Sequence, residues 1–162
     1  MGTGGKLAEH FFGQQCQKLD AKRRVVVPRK FREQIGESEL RAGLFVTIGF
    51  DGCLFLFPRS LWEEVMGEFS SVHFTRFNAR MVQRLFFSEV EEVVPDRLGR
   101  ILLPERLLEH AGVEDEVLFI GASNRVELWS PKRWSALKEA HQGQLEELAE
   151  TLFETLQERE RR

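Results

Sequence analysis

Two short segments of this 162-residue chain carry chemically able residues at matched spacing: Asp20-Ala21-Lys22-Arg23-Arg24 and Asp96-Arg97-Leu98-Gly99-Arg100. Each opens with an aspartate and closes with an arginine four positions on. An aspartate in a turn accepts hydrogen bonds from the backbone N–H groups just downstream, and its second oxygen can orient a guanidinium. The planar guanidinium fork suits phosphate oxygens and the O6/N7 edge of guanine, so a turn that projects such cations is built for a nucleic acid. Lys22, Arg23, Arg24, Arg97 and Arg100 are therefore the candidate nucleic-acid contacts, with Asp20 and Asp96 orienting the loops. For Arg24 and Arg100 the competing role is structural, an Asp–Arg ion pair inside the turn. Lys22, Arg23 and Arg97 have no evident internal partner.

Two aspartates related by a repeat could instead share a proton as the acid and base of a hydrolase. Such a pair wants small, apolar surroundings, whereas Asp20 and Asp96 each sit within four residues of two or more cations that would keep both ionised. His10, His73, His110 and His141 lie too far apart to suggest a metal or a triad, and Cys16 and Cys53 lack C-x-x-C spacing. There is no glycine-rich phosphate loop and no serine in an elbow motif. The expectation is a protein that is not an enzyme and uses neither metal nor cofactor.

The two segments belong to a longer repeat. LDAKRRVVVPRKFREQIG, Leu19 to Gly36, returns in register as PDRLGRILLPERLLEHAG, Pro95 to Gly112. A second match, the apolar runs from Leu44 and Val117, follows a connection three residues shorter in the later copy. A long period that occurs only twice argues for two related halves facing each other across a pseudo-dyad, not for a solenoid. In each half, a turn over the aspartate leads into a strand of three apolar residues, then a helix opened by Pro28 or Pro104 and closed by Gly36 or Gly112. Hairpins are expected at 44–57 and 117–129. Between the halves, helices are expected over 59–69 and 75–87. The second carries Phe77, Met81 and Leu85 at helical spacing, and Arg76, Arg80 and Arg84 on another face. Lys132 to Arg162 reads as one long amphipathic helix with Leu145, Leu148, Leu152 and Leu156 on one side, a stripe that must be covered by the chain's own core or by the next protomer.

With 30% charged residues and 14 Phe, the composition is that of a globular protein with an ample core. No apolar run approaches the ~20 residues needed to span a bilayer, and the first residues lack a signal peptide's basic head and apolar middle. A cytoplasmic protein is expected. The net charge of -3 averages over opposites. Lys18 to Arg32 is strongly basic and Glu139 to Arg162 strongly acidic, and it is local potential that steers a nucleic acid.

The paired D-x-x-x-R loops and the apolar-Pro segment after them, together with Phe11-Phe12-Gly13, Val82-Gln83-Arg84-Leu85 and Val126-Glu127-Leu128-Trp129, resemble the MraZ family of two AbrB-type domains. The resemblance covers roughly residues 11–134. It implies an α+β fold of two pseudo-symmetric swapped-hairpin β pseudobarrel units of the AbrB/MazE/MraZ kind. The expected divisions are an extension over 1–10, domain 1 over 11–62, connecting helices over 63–89, domain 2 over 90–134 and a C-terminal helix over 135–162. It further implies a sequence-specific regulator of transcription, more often a repressor, that binds double-stranded promoter DNA ahead of the division and cell-wall genes, at the nucleoid, as a homo-oligomeric ring. An antitoxin that holds a protein toxin through its acidic tail is the alternative. One departure stands out: the family usually has glycine before the first motif arginine, as at Gly99, but this chain has Arg23. A residue with a β-carbon there either changes the turn or accepts strain at positive φ. Geometry thus favours the second loop, and charge the first.

Overall fold

Leu54 to Pro58, a run of five residues with no polar break, forms a strand buried along its whole length, as an apolar run without alternation should. It lies near the middle of a six-stranded antiparallel sheet. The computed structural model describes residues 10–162, so the extension expected over 1–10 falls, apart from His10, outside the described residues. The chain divides into a larger unit ending at Pro131 and a smaller one over Lys132–Arg162.

In the larger unit, β1 (Gln14–Lys18), β2 (Arg24–Val26), α1 (Arg29–Ile35), α2 (Glu37–Ala42), β3 (Leu44–Ile48), β4 (Leu54–Pro58), α3 (Arg59–Ser70), α4 (Phe77–Phe87), β5 (Glu91–Val93), β6 (Arg100–Leu102), α5 (Glu105–Ala111), β7 (Glu116–Gly121) and β8 (Val126–Trp129) follow one another. The large sheet runs β1-β7-β8-β4-β3-β5, and β2 and β6 form a separate two-stranded ribbon. The halves exchange strands. β1, before the first loop, pairs with β7 of the second half, while β5, before the second loop, pairs with β3 of the first. Within the larger unit neither half closes a sheet alone, and the two hairpins join where β4 meets β8. This is the swapped-hairpin α+β arrangement. Its core is shared: Val25, Val27, Leu44, Leu54, Leu56, Ile101, Leu103, Val117, Phe119 and Leu128 are buried together. Each such side chain contributes about 1.5–3 kcal/mol by leaving water, so both halves are needed to assemble the core.

Several expectations shift. The longer connection in the first half holds an unforeseen helix, α2, with no counterpart between Gly112 and β7. β5 is the strand that the repeat places before the second loop, and it forms although its own three residues, two of them glutamates, carry no strand pattern. α4 forms as its periodicity requires, yet Phe77 and Leu85 are more than half exposed while Phe86 is buried. The reason is an aromatic cluster in which Phe86 stacks on Trp62 and on Phe69. Thr47 adds a buried O–H that donates to the Phe86 carbonyl at 2.9 Å. The aromatic payload, not the apolar stripe, sets which way α4 turns.

In the smaller unit, the single helix expected over Lys132 to Arg162 is two: α6 (Pro131–Ala140) and α7 (Leu145–Glu160). The break holds Gly143 at φ +78, a left-handed backbone that glycine adopts without steric cost. Leu145, Leu148, Leu152 and Leu156 lie on α7 and are all exposed. Among the described residues, no helix is long and apolar enough to cross a membrane.

Candidate nucleic-acid interface

The ribbon of β2 and β6 carries both loops. Arg24 faces Leu102, Val25 faces Ile101 and Val26 faces Arg100. The pairing continues outward, with Val27 N–H donating to the Gly99 carbonyl at 2.8 Å and Leu103 N–H to the Arg23 carbonyl at 2.9 Å. The pseudo-dyad therefore passes through the Val25–Ile101 pair, and the loops sit at opposite ends, about 13 Å apart for four residues of strand rise. Because side chains alternate along a strand, Val25, Val27, Ile101 and Leu103 point into the core. Arg24, Val26, Arg100 and Leu102 are left on the outer face, where the two arginines stand diagonally across the ribbon.

Each loop is built by its aspartate in the same way. Asp20 Oδ1 accepts from the Lys22 and Arg24 N–H groups, both at 2.9 Å, and Oδ2 accepts from Arg24 Nε at 2.9 Å. Asp96 repeats the set on the Leu98 and Arg100 N–H groups at 2.9 Å and on Arg100 Nε at 2.7 Å. The N–H of Arg24 is the largest influence holding the Asp20 carboxyl below its ordinary pKa. Desolvation opposes it as the second-largest influence, and the Arg24 side chain and the Lys22 N–H add to the lowering. The Arg100 N–H does the same for Asp96. Both carboxylates thus stay charged to lower pH than a free aspartate does. The Asp–Arg pair inside each turn is real, but it engages the guanidinium through Nε, so the structural role orients the arginine and leaves its two terminal nitrogens outside the pair.

The departure at Arg23 resolves as strain. Its φ of +62 matches the +76 of Gly99, so the first loop keeps the second loop's turn and accepts a left-handed arginine. The expectation that Arg23 lacks an internal partner is corrected. Its Nη1 lies 3.2 Å from Glu105 Oε2, because antiparallel pairing brings the start of α5 beside the first loop. Lys22 and Arg97 form no ion pair with another described residue. Glu105 beside Arg23 and Arg32 beside Gly99 lie far in sequence from the loops they flank, and neither was among the expected site residues. Arg80 and Arg84 are on α4 and Arg76 caps it, away from the ribbon in sequence and element, and Arg80 donates to the Phe74 and Thr75 carbonyls just ahead of the helix.

Fold and loops together define a swapped-hairpin protein of the AbrB type. The family model described as "MraZ protein, putative antitoxin-like" matches residues 10–85 and again 86–156. The chain is 41% identical over 144 residues to the transcriptional regulator MraZ of Heliobacterium modesticaldum, covering 89% of this chain and 97% of that one. It is 40% identical to the protein of the same name from Syntrophomonas wolfei over the same shares, and 39% identical to that of Desulforamulus reducens over 90% and 99%. The chain belongs to the MraZ family, and these three relatives are named transcriptional regulators, not enzymes.

Proposed function

We propose that this regulator binds double-stranded promoter DNA through the β2–β6 ribbon, with Arg24 and Arg100 as the central contacts and Lys22, Arg23 and Arg97 beside them. The observation that carries the reading is the diagonal pair of oriented arginines on the outer face of a two-stranded ribbon. The major groove admits a two-stranded ribbon, and arginine there reads guanine or holds phosphate. Asp20 and Asp96 act through the arginines by fixing turn and fork. The regulated genes are the division and cell-wall cluster, repression is the sign, and the protein works in the cytoplasm at the nucleoid.

One ribbon makes few contacts, so useful affinity comes from several protomers engaging repeated sites at high effective concentration. A homo-oligomeric ring supplies them. Supporting this are the exposed stripe on acidic α7 and the exposed Phe77 and Leu85 of α4, whose other residues include Arg76 at its cap, Arg80 and Arg84. Opposite charge and two apolar faces suit a heterologous contact, which closes into a ring when its rotation divides a full turn. Gel shift on the protein's own upstream region, with Arg24→Ala and Arg100→Ala alongside, tests the interface. Specific binding lost in both variants is expected, and unchanged binding in both refutes it. A second reading, capture of a protein toxin by α7, gains weight if deleting α7 alters neither oligomer size nor DNA binding.

A further inference from the structure

The two ends of the ribbon carry the same turn in different electrical surroundings. Antiparallel pairing sets α5 against the first loop and α1 against the second, and the two helices, though in register in the repeat, differ in charge at the positions that face the loops. Glu105 corresponds to Arg29, and Leu108 to Arg32. At the first loop, Arg23 meets Glu105, and Glu109, Glu114 and Asp115 line the same depression. Arg106 of α5 offers no relief, since it is held by Glu89 at 2.7 Å and Glu91 at 2.6 Å. At the second loop the backbone is bare at Gly99, and the guanidinium of Arg32 lies over it: a β-carbon on Gly99 would stand 3.0 Å from Arg32 Nη1. Arg32 Nε is buried without a hydrogen-bond partner. Arg29, whose side chain is 84% exposed, touches Glu33 through Nε only.

Resting on the DNA-binding reading above, we propose that Arg29 and Arg32 of α1 are further phosphate contacts that complete the Arg97–Arg100 end of the ribbon. At the other end Glu105 holds Arg23 and weakens the grip, so each ribbon engages DNA unequally. Arg32 replaces in space the cation that Gly99 lacks, and it does so beside a second arginine; Arg23 supplies its own, beside a glutamate. Exchanging Glu105 for an arginine at the corresponding point changes the local charge by two units within a Debye length of any bound phosphate, which outweighs the single extra cation of the first loop. The unequal ends also give the ribbon a direction on the duplex, although the fold itself is close to two-fold symmetric.

The test is fluorescence anisotropy of the full-length protein on a mixed-sequence duplex of about 30 base pairs, between about 50 and 200 mM salt, where the slope counts phosphate contacts. Arg29→Ala and Arg32→Leu, the latter adopting the residue of the matching position on α5, should each weaken binding several-fold and flatten the slope by about one. Glu105→Gln should tighten binding and steepen the slope. Unchanged slopes in both α1 variants, with melting temperatures confirming that they fold, overturn the inference while leaving the loops as the interface. If Arg24→Ala and Arg100→Ala also bind as the parent does, the loop reading falls, and this inference with it.

Discussion

At the scale of single residues, the loops separate orientation from contact. Arg24→Ala and Arg100→Ala should weaken DNA binding strongly while thermal unfolding moves little, because solvent-screened ion pairs contribute little to folding. Asp20→Ala and Asp96→Ala remove the turn's acceptor as well, so calorimetry and gel shift should both register a loss. Protonation should act in the same direction. Both carboxyls have a pKa lowered by folding, so their contribution is present above the unfolded value near about 4 and is lost as pH falls through the folded one. A melting temperature that declines on acidification below about pH 5, with a shallower decline in Asp20→Asn and Asp96→Asn, checks this. The left-handed positions give a contrast. Gly99→Ala should cost about 1–2 kcal/mol, since it places a β-carbon at positive φ beneath Arg32, whereas Arg23→Gly should be neutral or stabilising.

At the scale of elements, α4 is the informative case. Its periodic stripe is exposed at Phe77 and Leu85, while Phe86 is buried against Trp62 and Phe69. Phe86→Ala should destabilise by about 3–5 kcal/mol in chemical denaturation. Phe77→Ala should leave the folding of a single protomer within about 0.5 kcal/mol, as a position exposed within its own chain does, and should instead shift the assembly toward smaller species by light scattering. The C-terminal helices teach a similar lesson from the opposite side. Continuous amphipathic spacing from Lys132 suggested one helix, and a glycine at positive φ ended it.

At the scale of the whole molecule, function rests on the number of ribbons that reach DNA at once. Ending the chain after Arg133 removes the leucine stripe of α7 and should yield smaller species by light scattering. Such species should bind a single site weakly and gain little on repeated sites, since effective concentration is what the assembly contributes. A truncated protein that keeps its size and its avidity would place the assembly contact elsewhere.

The repeat, the strand-helix-hairpin order of each half and the aspartate-led turns were all legible in the chain, because each depends on residues close in sequence. Asp20 and Asp96 act on N–H groups two and four positions away, and Pro28, Gly36, Pro104 and Gly112 mark their helices wherever these are packed. The D-x-x-x-R spacing and the resemblance it carried led to the MraZ family in the same way. The partners of the loops were not legible. Glu105 meets Arg23, and Arg32 meets Gly99, only because β2 and β6 run antiparallel and hand each loop the other half's helix. No local pattern encodes that exchange. It follows from burying Val25, Val27, Ile101 and Leu103 in one core, a condition that neither half satisfies alone and that only the tertiary structure decides.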